Sequence, residues 1–553
     1  LGWRAGLAAA LAAGGLLVAP STSDRMTSTA AASPRAGGVT ERVIVETDGQ
    51  LLDVSRAAVA AGAKVVAAQA TLGTLVLDAP AGTANRLRAV PGVTRVTPDG
   101  NLQLLSSGVG PTGQGGDMTN VARLTGATTF WANGHDGSGV DIALLDSGVV
   151  PVEGLSTPNK LVIGPDLSSE GANDDLRHLD TYGHGTHMAG IIAGRDSAAT
   201  PGTYAEDTTN FLGMAPGARI VSIKLADAQG RTQISQAIAA IDWVLTHRRS
   251  HGLNIRVINL SFAVDKSHAD RFDPLAHAAS IAWERGVVVV AAAGNDRGVD
   301  DKRGLASPAS ADGALGVGAL DTQGTVTPED DKVPGWSRTG NPSLGLRGPD
   351  LTAPGTAIVS LRARNAFLDE RHPAGAVSAR FFRGSGTSQS TAIVSGAVAL
   401  LLSQRPDLKP DQVRDILRRS ADPLPFVSQA TQGAGSLDLA DAHRTSTRPV
   451  ATTMADFEVL YDGDRRSLRH RPSGHRIGLP TMVRGSWTGS PLNGATWAGA
   501  TWAGATWAGA TWAGATWAGA TWAGATWAGN AWSGATWAGA TWAGATWAGV
   551  SWE

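Results

Sequence analysis

Between residues 117 and 445 the chain alternates short, almost wholly apolar runs with longer stretches of helical periodicity, and this constrains the fold more than any other feature. The runs lie at 140–145, 219–225, 255–260 and 287–292. A strand with one face in water alternates polar and apolar residues, whereas a strand covered on both faces has no reason to. Parallel strands sandwiched between helices are therefore expected. Helices are expected at 186–193, 234–248, 274–285, 388–404 and 410–419. The last begins on Pro410, whose missing N–H costs nothing in a first helical turn. The expected class is α/β, with ligands gathered at the carboxyl ends of the strands.

A smaller unit precedes this one. Residues 40–101 read as strand 42–46, helix 52–62, strand 64–70, strand 72–77, helix 83–90 and strand 93–97, a β-α-β-β-α-β layout. Residues 102–116 are Gly-rich and read as a linker open to processing. Within it, Gly-Val-Gly-Pro-Thr-Gly at 108–113 has the spacing of a dinucleotide-binding loop, but Gln-Gly-Gly-Asp follows where a helix should start, so the match is rejected. At the front, Arg4 precedes a small apolar run at 5–19 and then small hydroxylated residues, the layout of a secretory leader over 1–22. A membrane anchor is the other reading, and the run falls short of the ~20 residues that span a bilayer. Export is the expectation.

Lys and Arg number 46 against 48 Asp and Glu, so no overall field draws the chain to nucleic acid. The absence of Cys excludes disulfides, thiolate zinc sites and a cysteine nucleophile; it leaves export open, because a core this large needs no covalent staple.

Three stretches carry chemistry. Asp146 ends an apolar strand in Leu-Asp-Ser-Gly, which puts a carboxylate at the ligand edge of the sheet; alone it reads equally as a turn or cap residue. His184 opens His-Gly-Thr-His-Met-Ala-Gly, between glycines that leave its ring accessible. A metal site at His184 and His187 lacks a third ligand at fixed spacing. Ser388 lies in Gly-Thr-Ser at the start of an apolar helix, where an N-cap is the plain reading. Taken together the three mean more. A serine hydroxyl needs a base to accept its proton, and that base needs a carboxylate to hold its tautomer. The order Asp, His, Ser is one of three known for this set, and no Gly-x-Ser-x-Gly elbow occurs.

On these motifs the chain resembles the subtilisin family of serine proteases, the subtilases, over roughly 117–442. The resemblance implies a parallel sheet packed between helices and secreted serine endopeptidase activity without a required cofactor. It assigns Asp146, His184 and Ser388 as catalytic residues and, through Ala-Ala-Ala-Gly-Asn at 291–295, Asn295 as the side-chain donor of the oxyanion hole. Substrate-binding positions carry over to Ser261, Phe262 and Ala263 and to Ala292, Ala293 and Gly294. The unit at 40–101 is similar to the family's inhibitory propeptide, which makes the chain a zymogen with its own early domain as inhibitor. Protein or peptide substrates are the expected partners. Two departures stand out: Gln389-Ser390-Thr391-Ala392 follows the serine where the family commonly has Met-Ala-Thr-Pro, and Ser-Phe-Ala-Val at 261–264 replaces Ser-Leu-Gly-Gly. Phe262 and the side chains after it either narrow the cleft or pack in the core. Calcium, common in the family, is compatible with the acidic group Asp166, Glu170, Asp174, Asp175 and Asp180, but no EF-hand spacing is present and no ligands are assigned. A non-catalytic surface-binding protein on a protease scaffold is the alternative.

The end of the chain is of another kind. A basic stretch, 446–490, reads as a linker, and in 491–553 Trp recurs every five residues from Trp497 to Trp552, mostly as Ala-Thr-Trp-Ala-Gly. A period of five places successive Trp about 140° apart on a helix, so no helical face forms, and the repeated Gly opposes helix further. A β-solenoid, a flexible tail adhering to a cell-envelope polymer through stacking, and a removable processing segment remain open.

Overall fold

The computed structural model describes residues 40–104, 108, 116–264, 273–296, 304–325 and 327–448, together with the backbone of strands beyond 456. The leader expected at 1–22 lies outside the described residues.

The first unit follows its sequence pattern closely: β1 (Thr40–Thr47), α1 (Leu51–Ala60), β2 (Lys64–Gln69), β3 (Thr74–Pro80), α2 (Ala84–Arg88) and β4 (Val93–Pro98). Its sheet runs β2-β3-β1-β4, and Val43, Val45, Val54, Leu75, Leu77, Leu87 and Val96 form a small core of their own. The expected linker does not begin at 102. Residues Asn101–Leu104 are a strand, β5, because Leu102 and Leu104 alternate with polar neighbours and have an apolar bed to enter.

After α3 (Met118–Leu124) and α4 (Ala127–Ala132) comes the main layer: β6 (Asp141–Asp146), β7 (Leu161–Asp166), α5 (His184–Ala193), β8 (Arg219–Lys224), β9 (Arg231–Gln233), α6 (Ile234–His247), β10 (Ile255–Leu260), β11 (Phe262–Val264), α7 (Pro274–Glu284), β12 (Val288–Ala292), β13 (Leu315–Leu320) and β14 (Leu351–Pro354). A short hairpin, β15 (Ile358–Leu361) with β16 (Phe381–Gly384), encloses α8 (Phe367–Arg371), and α9 (Thr387–Gln404) and α10 (Pro410–Ser420) follow. Seven strands form a parallel sheet in the order β14-β13-β12-β10-β6-β8-β7. Every residue of β6, β10, β12 and β13 is buried, as strands covered on both faces must be. The chain fills the β8 and β7 side of β6 first and then crosses to β10. The reversal opens a crevice at the carboxyl ends of β6 and β10, where Asp146 and Ser261 stand.

Helix α5 starts at His184, two residues earlier than its apolar pattern suggests. The buried Asp180 carboxylate explains this by accepting hydrogen bonds from Gly183 N and Thr186 N, both at 2.7 Å, which satisfies free amides of the first turn.

Beyond 456 the expected linker contains strands Phe457–Asp462, Arg465–His470 and Arg476–Gly478, paired antiparallel. Phe457, Val459 and Tyr461 recur at every second position as in a strand, a signal that the neighbouring arginines mask. In the repeat region Thr-Trp-Ala forms three-residue strands that pair in parallel at a spacing of twenty residues: Trp497 with Trp517 and Trp517 with Trp537, Trp502 with Trp522 and Trp522 with Trp542. Four such three-stranded sheets result, each taking one strand from every fourth pentapeptide.

Candidate active site

Asp146 is the last residue of the central strand and is 1% exposed. Its Oδ1 and Oδ2 lie 2.8 and 2.9 Å from Nδ1 of His184, the first residue of α5. Ser147 N donates to the same carboxylate at 2.8 Å, and the Ser147 hydroxyl donates to Asp180 Oδ1 at 2.7 Å while accepting from Gly185 N at 3.0 Å. The strand end and the helix start are thereby tied through one hydroxyl. With Nδ1 engaged by a carboxylate, the other ring nitrogen is left to face the cleft.

Ser388 is the second residue of α9, which packs against α5. Its Oγ donates to Ser261 O at 3.1 Å, and Gln389, the residue after it, lines a cavity together with His184, His187, Leu368, Phe382 and Gly384. Behind it a buried chain of hydrogen bonds runs from Ser395 Oγ to Asn259 and from Asn259 Nδ2 to Ser261 Oγ. Asn295 follows β12. Its Oδ1 accepts from Thr387 N and Thr387 Oγ1, both at 2.8 Å, and its Nδ2 is buried with no hydrogen-bond partner. A buried donor in that condition is costly unless something arrives to use it.

Of the substrate-binding positions, Ser261 and Gly294 flank Ser388 and Asn295, respectively, through Ser261 O and through Gly294 N, which donates to Thr387 Oγ1 at 3.2 Å. Phe262 is fully buried in the main core, so it does not narrow the cleft; its backbone forms the cleft edge. The side chains of Ala292 and Ala293 are likewise fully buried, and Ala263 contributes backbone pairing to Gln103.

The chain itself fills the slot between β9 and β11. Strand β5 lies antiparallel between β9 and β11, with Leu104 opposite Phe262, Gln103 opposite Ala263 and Leu102 opposite Val264. Leu102 and Leu104 are 1% and 4% exposed and join the main core. Three residues before Ser388, Ser385 N donates to Gly108 O at 2.8 Å. The first unit also docks on both ends of α6: Asp99 accepts from Ser235 N and Oγ at 3.0 and 2.6 Å, and Thr71 N donates to Asp242 at 2.9 Å.

The acidic group considered for calcium divides among other partners. Glu170 accepts from the fully buried Lys224 ammonium at 2.6 Å, from Thr181 Oγ1 and from Ala228 N. Asp166 accepts from Ser168 N and Oγ and from His178 N, while Asp174 and Asp175 are exposed. Burial pushes the Asp180 carboxyl above its ordinary value, a direction that disfavours the anion a metal would need. These residues therefore do not fit a calcium site: Lys224 supplies the cation here, and among the described residues no three acidic or histidine side chains converge as metal ligands. Sequence reading did not find Lys224, whose only local signal is a charge inside an apolar run. Burial also pushes His187 down to about 4, which keeps that ring neutral beside His184; its Nε2 meets Phe382 O at 3.1 Å.

Residues 137–442 match the subtilase family, Peptidase S8. The chain is a subtilase. Over 305 residues this subtilase is 32% identical to serine protease AprX of Bacillus subtilis, covering 55% of this chain and 65% of AprX. It is 29% identical to subtilisin DY of Bacillus licheniformis over 301 residues, 54% of this chain and 90% of the relative. The solved structure of fervidolysin from Fervidobacterium pennivorans, a keratinolytic enzyme related to subtilisin, superposes with a TM-score of 0.56 at 22% identity, covering 75% of this chain and 63% of fervidolysin. That likeness concerns the fold. The subtilase thus spans somewhat less than two thirds of AprX and of fervidolysin. Among the described residues, no helix is long and apolar enough to cross a membrane.

Proposed function

We propose that this subtilase is an exported serine endopeptidase made as a zymogen. Ser388 Oγ attacks the scissile carbonyl, His184 takes its proton and later gives it to the leaving amine, and Asp146 holds the His184 ring in the required tautomer. Asn295 Nδ2 and the Ser388 N–H receive the developing oxyanion, aided by the positive end of α9. No cofactor enters any step.

The observation that carries this reading is the occupancy of the slot. An extended segment lies antiparallel between 231–233 and 262–264, paired with the strand that follows Ser261, and the chain is held at Gly108 by Ser385. Substrate protein binds as that segment does, by backbone pairing, with apolar side chains preferred at the positions of Leu102 and Leu104. Residues 40–104 then act as the inhibitor of their own enzyme, and the processed bond falls between Leu104 and Gly108. The Trp repeats serve retention on an envelope polymer rather than chemistry.

A fluorophosphonate probe tests the reading directly. Labelling of Ser388 after removal of the first unit supports it. A fully processed protein that takes up no label is instead a binding protein on a peptidase scaffold.

A further inference from the structure

The Asn295 carboxamide is held by Thr387, but the backbone that carries it is held from elsewhere. Arg338 lies beyond β13, with its residue 5% exposed. Its N donates to Gly294 O at 3.0 Å, its Nε to Asp296 Oδ1 at 2.6 Å and its Nη2 to Asp296 Oδ2 at 2.8 Å. One residue therefore grips both neighbours of Asn295, Gly294 by its backbone and Asp296 by a two-pronged ion pair.

The fit against Gly294 is close. Gly294 has φ of +113°, and a Cβ there would come within 2.6 Å of Arg338 Cδ and 2.8 Å of Nε, so the arginine stem occupies the space any side chain at 294 would need. The planar fork matches a carboxylate in a way an ammonium cannot. Asp296 is 46% exposed, so the pair is weak as a source of stability, yet its buried guanidinium fixes direction well.

We infer that Arg338 is the positioning residue for the oxyanion donor, acting through Asn295 rather than on substrate. This rests on the role proposed for Asn295. Displacing a preorganised donor by a fraction of an ångström weakens it where charge develops and leaves ground-state binding nearly unchanged.

A double-mutant cycle on the processed enzyme, with its C-terminal region retained, tests it, with active enzyme counted by fluorophosphonate titration and kcat and KM read on a soluble peptide substrate. Arg338→Met, and separately Asp296→Asn, are expected to lower kcat by about ten- to a hundredfold with KM within about twofold. Arg338→Lys is expected to recover only a small part of the loss. In an Asn295→Leu background the same changes are expected to cost less than about twofold, because the group they position is gone. Equal losses in both backgrounds overturn the inference and leave Arg338 a general structural residue; no loss in the parent overturns it as well. If Asn295→Leu alone leaves kcat intact, the oxyanion role has failed and the positioning role falls with it. Asp296→Asn removes the ion pair without emptying a buried volume, so the outcome can be read even if Arg338→Met does not fold.

Discussion

Asn295 Oδ1 receives both hydrogen-bond donors of Thr387, its N and its Oγ1, at 2.8 Å each. Because the carbonyl end of the carboxamide is used twice, the amino end is turned the other way, and that orientation is set before any substrate arrives. Asn295→Leu is expected to lower kcat by about a hundred- to a thousandfold, the scale known for subtilisin itself, with little change in KM. Thr387→Val keeps the side-chain shape but loses one of the two donors and should cost about three- to tenfold in kcat. Steady-state kinetics on one peptide substrate checks both, and a Thr387→Val enzyme of parental kcat would mean that the hydroxyl does not orient the amide.

Gly386 is glycine by need of space. A Cβ there would come within 2.9 Å of Asn295 Nδ2 and 2.9 Å of Gln389 Oε1. Gly386→Ala is therefore expected to push the amide out of line, lowering kcat at least about tenfold. The melting temperature should stay close to the parent's, since two side-chain ends, not backbone, must move. A large loss of stability with unchanged specific activity would contradict this.

Self-processing should depend on Ser388 and on the seat of β5. Ser388→Ala, made in a host lacking other proteases, is expected to keep residues 40–104 covalently attached, as read by mass spectrometry; maturation of that variant would show another protease at work. Leu102→Asp places a charge in the main core, where Leu102 is 1% exposed. The cleaved unit should then inhibit at least about tenfold more weakly, from the loss of roughly 1.5–3 kcal/mol of apolar burial alone.

Lys160 gives stability a pH dependence of definite sign. Its Nζ donates to Pro216 O and Ala218 O, and burial pushes the ammonium from 10.5 down to about 7. Below pH 7 both folded and unfolded chains carry the proton and the penalty is constant. Above it the unfolded chain binds a proton that the folded one lacks, so this group makes unfolding free energy rise with pH until Lys160 also titrates in the unfolded chain, by up to about 1.4 kcal/mol per unit. Lys160→Met should remove that slope in denaturant melts. A parental pH profile in the variant would show that the lysine stays charged in the fold.

Truncation after residue 448 should leave hydrolysis of a small soluble substrate within about twofold, because Asp146, His184, Asn295 and Ser388 rest on elements that end before it. Retention on cell-wall material should be lost. Lost peptidase activity would make the repeats part of the folding unit, and unchanged retention would remove the adhesive role.

Much of the candidate site was legible along the chain because its signals are local. An apolar run ending in Asp146, glycines around His184 and a serine opening an apolar helix each need only a few neighbouring residues to be recognised, and their order is itself information. The same holds for strands buried on both faces, whose composition records their surroundings. What the tertiary structure decided are pairings across long stretches of chain. Lys224 meets Glu170, 54 residues away, because β6 and β8 pair with Asp146 opposite Lys224, which brings the ammonium beneath the loop before α5. Arg338 reaches Asp296 across 42 residues, and Leu102 finds its place between β9 and β11. The direction of Phe262, inward to the core rather than across the cleft, likewise followed from register. A one-residue slip of pairing turns a side chain to the opposite face, and periodicity along one segment carries no information about the register of its partner.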